Sequence, residues 1–208
     1  MNIVFNGPLI KTTNYFQGVN ASFQYTHCIN DEVRGYLVWH SGNWRFILRR
    51  FYTPRNRVVK KIALLLESPH KDEYTPQFIP VGPAQGKTGT NIANKIHYKL
   101  IGDLAVLQQS LSPHCDYEVK LINCVQYQCS CYHFLNAVSL FHDRRNTDQV
   151  FRAFFKHLKS DFISRVQNYQ PDFIYNCCTK SVTGVVSTCI NKHFQGAIIF
   201  KGNHPSRW

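Results

Sequence analysis

Residues Ile62–Tyr74 read IALLLESPHKDEY. Five apolar residues in succession, Ile62 to Leu66, fit a strand buried on both faces. The run stops at Glu67-Ser68-Pro69-His70, and proline cannot continue a central strand, so the chain must turn there. A carboxylate and an imidazole are thereby expected at the mouth of the first strand of a parallel sheet. That edge is where open α/β sheets place their ligands. Taken alone, the stretch is equally a strand-capping turn with solvated charges. Three later segments, ending at Asn123, Asn176 and His204, tip the reading toward a site.

Toward the C-terminus, strand and helix patterns alternate. Pro76–Gly89 is a loop rich in Gly and Pro. Thr90 is placed to cap a helix with Ile92, Ile96 and Leu100 on one face, and a second short helix is expected after Asp103. Glu118–Val125 reads as the second strand. A long helix opens at Asn146 or Thr147, with Phe151, Phe154 or Phe155, Leu158, Phe162 and Val166 inward. Its other face carries Arg152, Lys156, Lys159 and Arg165. Asp172–Tyr175 is the third strand, Ser181–His193 a helix and Ala197–Phe200 the fourth strand. Right-handed crossovers make this an α/β fold with a four-stranded parallel sheet and helices on both faces. All four strands then deliver their C-terminal ends to one edge. Toward the N-terminus, Ala21–His27, Arg34–His40 and Trp44–Tyr52 are strand-like, the last two as a hairpin. Residues 1–60 are therefore expected to form an antiparallel β extension packed on a core of residues 61–208.

The 208 residues suffice for one sizeable core with an appendage. No window approaches about 18 uninterrupted apolar residues, so no membrane span is expected. The N-terminus lacks a basic segment followed by an apolar run, so no secretory signal is read there. Without one, the eight cysteines are expected as thiols in a reducing cytoplasm. Cys129, Cys131 and His133 cluster, but one residue between the cysteines is too few for the usual zinc pairing, so no metal or other cofactor is expected. The net charge is +12, and Arg45–Lys61 holds seven basic residues and no acidic one. With Trp44, Phe46, Phe51 and Tyr52 interleaved, the stripe suits a polyanion, most often nucleic acid. Arg49 and Arg50 are its candidate phosphate contacts; a solvated positive face is the plain alternative. Nothing in the sequence sets an oligomeric state.

Gly82–Thr88, GPAQGKT, falls short of a phosphate-binding P-loop, with three residues between its glycines where the motif needs four. The strand-edge constellation is more specific: Glu67 after the first strand, Asn123 on the second, His204 after the fourth. A carboxylate can stabilise a developing cation or orient water, and a histidine can donate to a departing anion. An amide offers both donor and acceptor to a base edge. Cleavage of an N-glycosidic bond asks for these three roles. Lys180 and Ser181 stand at a helix start suited to phosphate, or to plain N-capping by Ser181. Asp72 and Glu73 read as solvated. A hydrolase built on Cys178 and His204 and a non-catalytic nucleic-acid-binding module remain alternative readings.

These motifs resemble the uracil-DNA glycosylase superfamily. Glu67-Ser68-Pro69-His70 is similar to its strand-one water-activating motif, and Pro80-Val81-Gly82 to the loop that follows. Leu121-Ile122-Asn123-Cys124-Val125 is similar to the strand carrying the base-reading Asn, and His204-Pro205-Ser206 to the motif carrying the leaving-group His. The resemblance covers residues 61–208. It implies a DNA glycosylase that flips out one nucleotide and leaves an abasic site, with Glu67 and His204 catalytic. It implies base contacts from Asn123, His70 and either Phe78 or Tyr74, the last two as stacking candidates because Pro80 falls where many members have the stacking Phe. Lys87, Lys180, Ser181, Ser206 and Arg207 become phosphate contacts. His70 replaces a Gly or Tyr of the pocket wall, and Leu66 a Gly. These departures widen the expected substrate from uracil to a larger base, such as the modified cytosines removed by anti-phage members.

Overall fold

The computed structural model describes residues 2–5, 10–11, 23–25, 29–75, 79–107, 109–127 and 144–208. Strands β1 (Asn2–Phe5), β2 (Ile10–Lys11) and β3 (Phe23–Tyr25) form a small sheet in the order β2-β1-β3. The main sheet comprises β4 (Glu32–His40), β5 (Asn43–Leu48), β6 (Val58–Leu66), β7 (Cys115–Asn123), β8 (Phe173–Asn176) and β9 (Ile198–Lys201). Its order is β5-β4-β7-β6-β8-β9. Strands β7, β6, β8 and β9 pair in parallel, whereas β4 is antiparallel to both β5 and β7. The fold is thus α/β with a six-stranded mixed sheet.

The apolar run at Ile62–Leu66 is buried on both faces and lies inside the sheet, between β7 and β8. Ile62, Leu64 and Leu66 point toward helix α1 (Gly86–Val106) and pack with Ile92, Ile96 and Leu100. Ala63 and Leu65 point the other way, toward Phe151, Phe154 and Phe162 of α2 (Arg144–Tyr169) and Val186 and Ile190 of α3 (Thr183–His193). Each fully buried leucine contributes roughly 1.5–3 kcal/mol. Since α1 follows β6 on one face and α3 follows β8 on the other, the connections diverge between two neighbouring strands. A crevice opens at such a point, beyond the carboxyl ends of β6 and β8.

The structure corrects four expectations. The N-terminal hairpin β4–β5 is not a layer packed on the sheet but two further strands of it, because β4 covers the edge that β7 would otherwise expose. Helix α1 begins at Gly86 rather than Thr90 and runs unbroken through Asp103. Gly86 has φ +62°, a conformation that glycine adopts without strain, so this loop-like glycine can lead into the first turn. Strand β6 starts at Val58, in register with Cys115 of a β7 that itself starts earlier than the apolar pattern suggested. Arg165 is not solvated: it sits against Asp31 and the end of β7.

Candidate active site

Main-chain pairing continues past the strand proper. The Val125 N–H donates to the Glu67 carbonyl at 3.2 Å, so the first turn residue is held as firmly as a ladder residue. The Glu67 side chain crosses the crevice and accepts a hydrogen bond from Thr179 Oγ1, in the turn after β8. Thr179 is 3.4 Å from Ser181 Oγ, which in turn donates to Asp148 of α2 at 2.8 Å. Ser181 is therefore not the helix cap; α3 begins at Thr183, and its first turns bond back to the Thr179 carbonyl.

His204 enters from the opposite side. The chain after β9 turns at Pro205–Arg207 and docks on α1, where Asn91 Nδ2 donates to the Pro205 carbonyl at 2.8 Å. Trp208 anchors the turn by burial, by stacking near Tyr175 and by donating to the Asn203 carbonyl at 2.8 Å. The Ser206 backbone N–H donates to His204 Nδ1 at 3.3 Å. A backbone amide can only donate, so Nδ1 accepts, and in the neutral ring Nε2 carries the proton.

Glu67, His70, Glu73, Lys87, Thr179, His204 and Ser206 all line one cleft of about 370 Å³. A second groove, of about 870 Å³, shares Thr179, His204 and Ser206 with it and adds Lys180, Ser181, Lys201 and Arg207. A carboxylate-bearing cleft thus adjoins a cationic groove. The structure brings Glu67, His204, His70, Lys87, Ser206, Lys180, Ser181 and Arg207 together as the sequence suggested. Lys201 and Thr179 join them; their positions at the end of β9 and after β8 were the available signal.

Other candidates fall elsewhere. Tyr74 bridges to Pro80 across the neck of its loop and does not line the cleft, and Phe78 lies outside the described residues, as do Cys129, Cys131 and His133. Arg49 and Arg50 stand at the outer edge of the sheet, where Arg50 lies over the Phe51 ring. Arg57 is engaged with buried Asp116 at 3.0 Å, at the amino end of β6. The nine residues of β6 separate it from Glu67, ten steps or roughly 33 Å at about 3.3 Å per residue. The basic stripe does not border the cleft. Among the described residues no three His, Cys, Asp or Glu side chains could hold a metal ion.

Glu73 is the residue that sequence reasoning missed. Expected in solvent, it is 3% exposed, folded inward by the turn Lys71–Glu73 and by the Val81 N–H bonded to its carbonyl at 2.8 Å. Burial pushes its carboxyl up to about 7, against the opposing pull of backbone hydrogen bonds from His70 and Ala84 and of the Asn123 side chain. Asn123, expected to read a base directly, is only 1% exposed. It lies against Glu73 beneath the cleft wall, with neither amide atom in a well-formed hydrogen bond.

A raised carboxyl favours the folded state at low pH, and that contribution is lost as pH rises from the unfolded value toward about 7. Glu73→Gln removes the titrating group. It is expected to stabilise the protein by about 2–3 kcal/mol near pH 8 and to change little near pH 5. Urea unfolding at the two pH values checks this; equal shifts at both would show that Glu73 is not held neutral.

The Cys178 thiol lies 3.6 Å from Cys124, and burial pushes it well above the ordinary thiol range. A nucleophilic cysteine needs the opposite shift, toward thiolate. Among the described residues no helix is long and apolar enough to cross a membrane. No family model matches the chain, and no curated protein matches it.

Proposed function

We propose that the chain is a monofunctional DNA glycosylase, a divergent relative of the uracil-DNA glycosylases built around the four parallel strands of its sheet. The observation that carries this reading is the shared wall of cleft and groove: Glu67 and His204 line the first, and Lys180, Lys201 and Arg207 line the second. The groove seats the phosphates that flank a flipped nucleotide, and the cleft receives its base and sugar. Glu67, oriented by Thr179, stabilises the cationic sugar or positions water. His204 Nε2–H donates to the departing base. Lys87 is exposed in the cleft and is assigned to a phosphate, so the product is an unbroken abasic strand.

Mass spectrometry of bases released from uracil-containing, unmodified and modified-cytosine DNA tests the reading. Release of none would overturn it, and covalent trapping by borohydride would overturn the assignment of Lys87. The groove makes a separate prediction. Lys180→Ala with Arg207→Ala is expected to make the log–log salt dependence of duplex binding shallower by roughly two units, at about 0.9 per phosphate. Arg49→Ala with Arg50→Ala, on the far edge of the sheet, is expected to leave the rate at saturating DNA unchanged. If the groove pair leaves the slope unaltered and the edge pair flattens it, the track runs over β5 instead.

A further inference from the structure

Three buried polar atoms without a well-formed hydrogen bond meet at one place, where the Asn123 side chain lies against the Glu73 carboxyl: Glu73 Oε2, Asn123 Oδ1 and Asn123 Nδ2. Native structures leave few such atoms unpaired, and a cluster of them beside a cleft marks a place where a ligand completes the bonding. Of the two residues only Glu73 reaches the cleft wall. Asn123, behind it, can touch a ligand only through Glu73. We propose that Glu73, as a neutral carboxylic acid, donates from Oε2–H to the 2-carbonyl oxygen of a flipped pyrimidine, with Asn123 as the positioning residue that holds Glu73.

This inference rests on the glycosylase reading and adds the substrate class and a second catalytic donor. The backbone N–H groups of His70 and Ala84 and the Asn123 side chain act on the carboxyl, and Oε2 is the oxygen without a well-formed bond, so the acid proton is assigned to it. Oε2 is itself buried in the cleft wall, so donation requires the side chain to turn toward a bound base, where its O–H meets an acceptor and disfavours an amino group. O2 is the acceptor common to uracil, cytosine and 5-substituted cytosines, and it neighbours the glycosidic nitrogen. Negative charge gathers on it as the bond breaks. Its two lone pairs can accept from His204 and Glu73 together, as in a two-donor oxyanion site. Adenine has no carbonyl to offer.

The charged groups around Glu73 are mixed. Asp72 raises its affinity for a proton, while His70, Glu67, Lys87 and His204 line the same cleft. Glu32 and Arg34 of β4 approach Gly82 and Gly89 on the other side of the loop. Burial outweighs these and keeps the acid protonated up to about pH 7.

The test uses the full chain and duplexes carrying one 2′-fluoroarabino pyrimidine, which resists hydrolysis, its adenine counterpart, or an abasic analogue. Affinity relative to the abasic duplex is measured from about pH 5.5 to about pH 9. Wild type is expected to prefer the pyrimidine roughly tenfold at low pH, one good hydrogen bond's worth, and to lose the preference above the Glu73 titration. Glu73→Gln, whose amide donates at every pH, is expected to keep the preference and lose its pH dependence. Glu73→Ala is expected to abolish it. Asn123→Leu removes a contact that favours the charged form, so the midpoint moves to higher pH, which a merely structural residue would not do. A pyrimidine preference that is independent of pH in wild type, or survives in Glu73→Ala, overturns the inference while leaving base release standing. An absent preference together with no base release from any duplex overturns both.

Discussion

Glu67→Ala and His204→Ala are each expected to slow base release by about 10²–10³, equivalent to roughly 3–4 kcal/mol of transition-state stabilisation. DNA affinity is expected to stay within about twofold, because the proposed reading gives the phosphates to the neighbouring groove and not to these two side chains. Preorganisation is the source of the magnitude. Glu67 is fixed at its backbone by Val125 and at its carboxylate by Thr179, so in the proposed reaction little reorganisation would accompany charge development on a sugar. His204 has its Nδ1 turned to Ser206, whose amide donates to it at 3.3 Å and whose Oγ lies 2.9 Å away, which leaves Nε2 as the nitrogen assigned to the proposed donation. Single-turnover base release measures both variants. A rate within about twofold of wild type in either would remove that residue from the chemistry. Thr179→Val isolates the positioning effect: the carboxylate remains and its tether is lost, so a smaller loss, about tenfold, is expected.

The parts of the fold visible in the sequence are those whose cause is local. Ile62–Leu66 announces a central strand because five apolar residues have no polar face to offer solvent. The inward faces of α1 and α2 are set by a period of 3.6 that any helical packing must use. What escaped depends on partners distant in sequence. The start of β7 reads as polar because Asp116 is buried there; Arg57 and the Tyr52 hydroxyl, at 2.7 Å, make that burial tolerable. The docking of β4 on β7 is written in neither strand alone. At the site, Glu67 and His204 were legible because each follows a strand end, a position with known consequences in α/β sheets. Glu73 was not, because Lys-Asp-Glu-Tyr has the composition of a solvated turn. Only the return of the chain through Ala84 and the proximity of Asn123 make it a buried acid.

Arg165→Met is expected to destabilise the protein by about 3–5 kcal/mol, the range for breaking a buried ion pair from one side. Arg165 donates from Nη1 to both Asp31 carboxylate oxygens at 2.8 Å, from Nε to Asp161 at 2.7 Å and from Nη2 to the Asn123 carbonyl at 3.0 Å. The Asp31 side chain is only 6% exposed and that of Arg165 15%, so the pair is poorly screened. Burial pushes the Asp31 carboxyl up, and Arg165 is the main force pulling it back toward ionisation. Without the guanidinium, Asp31 either stays charged and unpaired or takes up a proton. Its folded-state pKa therefore rises further, and the variant loses stability as pH climbs through that raised value. The deficit is accordingly expected to be larger near pH 8 than near pH 4.5. Adding Asp31→Asn to Arg165→Met is expected to recover part of the loss, since no buried charge then lacks its partner. Denaturant unfolding of the single and double variants at the two pH values measures this. A deficit equal at both, or no recovery in the double variant, would show that Arg165 acts by packing rather than charge. The same substitution frees the Asn123 carbonyl at the end of β7, so base release in the folded fraction is expected to fall about tenfold.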